Sequence, residues 1–321
     1  VSAYFEDDEL YSDYEAAFDP LHTDRKARRK RKPKAKHTPK HQPETAINQV
    51  AETVGLEGGF KTTYKPGLFE EGWLLSSLQS FYDQGVLADV LARVKGGKEA
   101  NVYRCAADPK SGYTLLAAKV YRPNMFRNMR NDAIYREGRM ILNQRGRTVR
   151  ENESRVMRAL AKKTAYGQEV AHTSWLMHEF MTLQTLHNAG ASVPIPVSAN
   201  GNAILMGYVG DERAAAPTLS EIALEADEAE ALFDDALRNI ALMLDLNMVH
   251  GDLSAYNILY WEGAITLIDF PQVIDARGNE SAEAILRRDV TRLCAYFADQ
   301  GVDRDAEALA VALWHKYRNP R

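Results

Sequence analysis

Two cysteines, Cys105 and Cys294, are too few for a disulfide framework in a chain of 321 residues. With no C-x-x-C pair and no Cys/His zinc spacing, they supply no structural metal site either. No run of residues approaches the roughly 18 apolar positions of a membrane span. Val1 leads to Glu6, Asp7, Asp8 and Glu9, which is not a basic stretch entering an apolar one. The expectation is a cytoplasmic chain without membrane contact. Net charge is nearly absent too, with 40 basic against 44 acidic residues. That balance conceals segregation: ten Lys/Arg fall within 25–40, and twelve fall within 122–163 beside only four acids. Bulk charge therefore says nothing about partners, whereas the two basic windows do.

What is present suffices for a folded core, since 45% of the residues are hydrophobic. Residues 1–45 read as a charged, disordered tail in which Pro33, Pro39 and Pro43 discourage a helix. It is either a solvated tail or an arm for RNA phosphates or an acidic partner. Residues 46–90 form an N-terminal helical extension, because Trp73, Leu74, Leu78, Phe81 and Tyr82 recur at helical spacing before Gly85. The aromatics in it read as core, not as base-stacking residues. Residues 91–209 contain short strands at 91–94, 102–105, 114–121 and 203–209. Between them lies a helix read as capped by Thr173 or Ser174 and buried through Leu176, Phe180, Leu183 and Leu186. Residues 210–321 read as mostly helical, interrupted by a hairpin around Glu262 and Gly263. The expected fold is α+β and bilobal, with a small β-rich lobe followed by a helical one.

Four elements in a fixed order carry the chemistry. The first is Lys95-Gly96-Gly97-Lys98-Glu99-Ala100-Asn101, a polar loop between strands. Glycines there would let backbone N–H groups approach phosphate oxygens, although taken alone the loop reads more readily as a plain hairpin turn. The second is Lys119, set in the apolar run Ala117-Ala118-Lys119-Val120-Tyr121. A buried ammonium needs a partner, and Glu179 on the capped helix is the candidate. The third and fourth are His250-Gly251-Asp252-Leu253-Ser254-Ala255-Tyr256-Asn257 and Leu267-Ile268-Asp269-Phe270. Phosphoryl transfer needs a carboxylate to orient the attacking hydroxyl and oxygen ligands for Mg²⁺. Asp252 fits the first task; Asn257 and Asp269 fit the second. In this order the set describes a protein-kinase-like ATP site.

The motifs resemble those of the RIO kinases, nearest the first subfamily but divergent from it. The matching pieces are Gly97 to Tyr103, Trp175-x-x-x-Glu179-Phe180, Met206-Gly207-Tyr208-Val209-Gly210, His250 to Asn257, and Ile268-Asp269-Phe270-Pro271-Gln272. The resemblance implies an atypical Ser/Thr protein kinase using ATP and Mg²⁺, or Mn²⁺ in its place. Lys119 would hold the ATP phosphates with Glu179; Gly96, Gly97 and Lys98 would lie over them. Met206 would be the gatekeeper, with Gly207 and Val209 bonding adenine. Asp252 would be the base, and Asn257 and Asp269 the metal ligands. The resemblance also implies an ATPase cycle through an aspartyl-phosphate on Asp269, and a role in ribosome biogenesis. Its partners would be a protein Ser/Thr substrate or the chain itself, and rRNA of the small-subunit precursor through the two basic windows. No Ala-Pro-Glu and no long activation segment follow Asp269.

Lys119 and Glu179 stand 60 positions apart, so a basic insertion, 122–170, separates the strand from its partner helix. It reads as a solvated helical face or as a basic flap for phosphate groups. Two rival functions remain in view. One is a small-molecule kinase of the aminoglycoside-phosphotransferase type, which shares H-G-D-x-x-x-x-N and the later Ile-Asp. The other is a non-catalytic RNA or ribosome-assembly factor whose nucleotide site acts as a switch.

Overall fold

The first described helix, α1 (Leu68–Asp83), buries Leu74, Leu78 and Phe81, which its periodicity marks, and also Leu75; Trp73 and Tyr82 are partly buried against the same core. The computed structural model of the chain describes residues 60, 62–97, 99–122, 140–149, 154–162 and 164–319. The tail at 1–45, the basic window at 25–40, Lys98 and most of the arginines placed within 122–150 lie outside them.

Strands β1 (Leu87–Gly96), β2 (Ala100–Ala107) and β3 (Leu115–Tyr121) follow α1. Two helices come next, α2 (Ser154–Ala161) and α3 (Ala165–Asn188), then β4 (Pro196–Asn200) and β5 (Ala203–Gly207). The five strands make one antiparallel sheet in the order β1-β2-β3-β5-β4. Both faces are covered. Leu116, Ala118 and Val120 of β3 join the cluster containing Leu74, Leu78 and Phe81 of α1. Tyr121 and Ile204 join Trp175, Leu176 and Phe180 of α3 on the other side. Because side chains alternate along a strand, Lys119 shares the Tyr121 face and points toward α3.

The expected cap of α3 is corrected. The helix begins about two and a half turns earlier than Thr173 and Ser174, at Ala165, with the Thr164 hydroxyl accepting the Gly167 N–H at 3.1 Å. Ser174 is interior to the helix and buried, and its hydroxyl accepts the Leu142 N–H at 2.9 Å. A polar residue that finds a tertiary partner need not end a helix. On the sheet side, two elements went unread: α2, inside the basic insertion, and the edge strand β4, which begins at Pro196.

The remaining chain is largely helical. It runs through α4 (Ala226–Asp245), β6 (Met248–Val249), β7 (Ile258–Trp261), β8 (Ala264–Leu267), β9 (Ile274–Asp275), α5 (Ala282–Asp299) and α6 (Ala306–Arg318). β7 and β8 form the expected hairpin, and β6 pairs with β9. Phe233 of α4 meets Phe297 of α5 edge-on, with ring centroids 5.2 Å apart, inside one core that also holds Leu253 and Phe270. That core fixes the two polar loops from below. With α5 starting at Ala282, the path from Asp269 to the next helix is short.

Candidate active site

β3 and α3 bring the strand lysine and the helix acid together. Lys119 Nζ lies 2.6 Å from Glu179 Oε1 and is also ion-paired with Asp269 Oδ1. The second oxygen of Glu179 accepts the Tyr121 hydroxyl. Burial alone would drive the ammonium toward its neutral form, but Asp269 and Glu179 outweigh it and hold the Lys119 pKa above its ordinary value. Burial pushes Glu179 up to about 7, with Lys119 pulling it part of the way back. Partial burial also disfavours the Asp269 carboxylate, yet Lys119 more than offsets this and keeps its pKa below the ordinary value; Lys95 acts in the same direction. One cation thus serves two acids from opposite sides of a cleft. The Asp269 carboxylate remains 39% exposed, open on its far side.

Asp252 belongs to the loop from β6 to β7, which is bonded to α5 and to Ile268 just past β8. Gly251 has φ 82°, and a Cβ there would lie 2.4 Å from the Gln272 carbonyl oxygen, so only glycine lets the two loops touch. The Gly251 N–H donates to Asp289 Oδ2 at 2.8 Å, and Arg288 donates to the Gly251 carbonyl. Burial raises the Asp289 pKa, with Arg288 acting against it. The His250 ring joins the loops: its Nδ1 accepts the Asp252 N–H at 3.3 Å, and its Nε2 reaches the Ile268 carbonyl at 3.2 Å. The pattern assigns the proton to Nε2. Asn257 Nδ2 donates to the Asp252 carbonyl (2.8 Å) and to Asp252 Oδ2 (3.2 Å), while Arg292 Nη1 donates to Asp252 Oδ1 (2.9 Å).

With its amide nitrogen turned to Asp252, Asn257 offers its carbonyl oxygen to a cation. Asp269 offers the carboxylate oxygen that Lys119 does not hold. Two oxygen donors suit Mg²⁺, which keeps waters and takes phosphate oxygens instead of a full protein cage. No group of three His, Cys, Asp or Glu side chains able to hold a metal occurs among the described residues.

The glycine loop is the β1–β2 turn. Gly97 N–H donates to Ala100 O at 2.9 Å, and a Cβ on Gly97 would lie 2.9 Å from that oxygen. The turn itself therefore requires Gly97, while Gly96 pairs with Asn101 at the strand ends. Met206 and Gly207 lie at the end of β5, opposite Ala117 and Leu116 of β3. Val209 closes the following turn, its carbonyl accepting the Ala216 N–H at 3.0 Å.

Several polar residues at the site escaped the sequence reading. Tyr121 and Arg292 are two of them. Glu70 of α1 is a third: it accepts the Tyr103 hydroxyl and the Tyr64 hydroxyl, and lies 3.4 Å from Asn101 Nδ2. Asn101 Oδ1 in turn accepts Arg122 Nη2 at 3.1 Å. For Arg292 a signal existed, because it follows Asp289 by three positions and shares the apolar face of α5 with Ile285, Leu286 and Leu293. For Glu70 there was none: α1 lies far upstream in the chain, and only the fold joins them.

Comparison with known families matches the RIO domain over residues 134–309, more than half of the chain and including Glu179, Met206, Asp252, Asn257 and Asp269. The chain is 29% identical over 218 residues to the RIO-type serine/threonine-protein kinase Rio1 of Haloferax volcanii, covering 67% of this chain and 66% of that protein. It is 31% identical over 232 residues to the serine/threonine-protein kinase RIO1 of Chaetomium thermophilum, covering 69% and 41%. It is 27% identical over 259 residues to the RIO-type serine/threonine-protein kinase Rio2 of Methanocaldococcus jannaschii, covering 78% and 83%. The chain thus spans between about two fifths and two thirds of the two Rio1 proteins. No helix among the described residues is long and apolar enough to cross a membrane. With the ordered Lys119, Glu179, Asp252, Asn257 and Asp269 constellation in place and the RIO domain match running through four of the five, this chain belongs to the RIO domain kinase family.

Proposed function

We propose that this chain transfers the γ-phosphoryl group of ATP, with Mg²⁺, to a serine or threonine hydroxyl of a protein or of itself. The observation that carries the proposal is the double engagement of Lys119. It joins a strand, a helix acid 60 positions later and a loop acid 150 positions later into one charged cluster beside the Asp252 loop. In this reading Lys119 holds the ATP phosphates and Glu179 holds Lys119. Gly96, Gly97 and Lys98 lie over the phosphates, and Met206, Gly207 and Val209 line the adenine edge. Asp252 accepts a hydrogen bond from the attacking hydroxyl, and Asn257 and Asp269 supply oxygen ligands. The bound cation contributes neutralisation of phosphate charge. Phosphoryl transfer of this kind depends mostly on position and charge, which a rigidly paired site provides.

A second reading is favoured by the exposure of Asp269. In this reading the Asp269 oxygen that Lys119 does not hold attacks the γ-phosphorus, forming an acyl phosphate and releasing ADP, after which water frees phosphate and restores the acid. This would be a switch-like ATPase cycle.

Incubation with γ-labelled ATP and Mg²⁺ tests both. Acid-stable label on Ser or Thr is the expected result for the kinase reading, and it should fall at least about 100-fold in Asp269→Asn. Label removed by hydroxylamine and absent from that variant supports the acyl phosphate instead. No label and no ADP release from the unaltered chain removes both readings.

A further inference from the structure

α5 sends three side chains to the Asp252 loop: Arg288 and Asp289 hold the Gly251 backbone, and Arg292 reaches the Asp252 side chain. Arg292 stands one turn beyond Asp289, with its side chain 3% exposed, and its Nη1 meets Asp252 Oδ1 at 2.9 Å. Asn257 Nδ2 meets the other oxygen, Oδ2, at 3.2 Å. A carboxylate held at both oxygens has its plane fixed, which a single donor does not achieve. The guanidinium is planar, and the Arg292 side chain is itself buried. Asp252 is itself buried, so its charge needs a compensating cation within the protein.

We infer that Arg292 is a positioning residue for phosphoryl transfer, acting through Asp252, and that Asp252 works mainly as an oriented hydrogen-bond acceptor. The inference rests on the kinase reading above. The acceptor hydroxyl donates its hydrogen to a remaining lone pair of Asp252, which aims the oxygen at the γ-phosphorus. The new O–P bond forms as the bond to the β-phosphate oxygen breaks, ADP leaves, and the hydroxyl proton departs late to the phosphoryl product or solvent. In a loose transition state little proton abstraction is required, so orientation is the larger contribution. A guanidinium clamp serves orientation well.

The test compares Arg292→Lys and Arg292→Met in the full chain, each also combined with Asp252→Asn. Arg292→Lys keeps a cation but loses the planar fork, and misplacing the acceptor by a fraction of an ångström should lower kcat about 10-fold or more. KM for ATP should stay within about twofold, because no phosphate or adenine contact is altered. In the Asp252→Asn background the lysine change should add little, since the carboxylate with which Arg292 pairs is already gone. Should Arg292→Met fail to fold, the Lys variant and its double mutant decide. A kcat unchanged in Arg292→Lys overturns the inference. So does an effect that multiplies in full with Asp252→Asn, or a rise in KM that matches the fall in kcat. If the unaltered chain transfers no phosphoryl group at all, the kinase reading fails and takes the inference with it, an outcome distinct from the other three.

Discussion

Asp269 sits at φ 70°, one of three non-glycine residues with positive φ among those described; the others, Asn247 and Glu262, lie in turns. A side chain in the left-handed region costs roughly 1–2 kcal/mol against glycine. The site therefore retains an acid where the backbone alone would favour glycine, and strain of this kind is characteristic of functional positions. Asp269→Gly and Asp269→Ala both remove the carboxylate and its Lys119 pair, so they differ mainly in the backbone. Asp269→Gly should be the more stable by about 1 kcal/mol, read as a higher midpoint in urea. Equal midpoints would mean that the loop relaxes once the acid is gone. At this scale much of the site was legible. Lys119, Glu179 and Asp269 join in one set of ion pairs, and Asp252 and Asn257 share a loop that His250 ties to Ile268 beside Asp269. Glu179 was legible as a partner since a buried ammonium demands one. Arg292 and Tyr121 were not read, because a lone Arg or Tyr beside apolar residues passes for an amphipathic face.

At the scale of elements, α1 does more than cover the sheet. Its Glu70 collects hydroxyls from Tyr64 and Tyr103 and an amide from Asn101 at the end of the glycine turn. Burial, helped by Glu70, raises the Tyr103 pKa and keeps the phenol protonated as a donor. Glu70→Ala should cost about 1–3 kcal/mol by leaving the buried Tyr103 hydroxyl without its acceptor. Adding Tyr103→Phe should recover part of that loss, since removing both partners is cheaper than removing one. Thermal unfolding of the two single variants and the double checks this, and additive losses would show that the two do not act as a pair. Helices and strands with a clear period were read well here, and their ends were read poorly. α3 illustrates why. Thr173 and Ser174 look like a start, but Ser174 finds a tertiary acceptor role with Leu142, so the helix continues back to the true cap at Thr164. β4 offered too little alternation to be seen, as all five of its residues are half-buried.

On the scale of the whole molecule, the expected order of a sheet-based part followed by a helical part is found, and the segment joining them carries its own bonds. On the sheet side, Arg104 of β2 donates to the Glu212 carbonyl at 2.6 Å. On the helical side, the Tyr260 N–H donates to the Pro217 carbonyl at 2.9 Å, and Thr218 bridges Leu259. Between them, Ala216 N–H and Val209 O close the turn. Arg104→Ala should speed amide hydrogen exchange in 211–216 while leaving the midpoint of global unfolding within about 0.5 kcal/mol of its original stability, as an exposed contact allows. Unchanged exchange there would show that the turn's own bonds suffice. Such a fastened joint has a mechanical meaning. A bare strand joining two parts of a chain can twist about every axis, whereas a turn closed on itself and bonded at both ends resists twisting. Gly207 and Val209 stand on one side of that joint, and Asp252 and Asn257 on the other. In the reading proposed above, these few bonds hold the spacing between the nucleotide and the Asp252 loop.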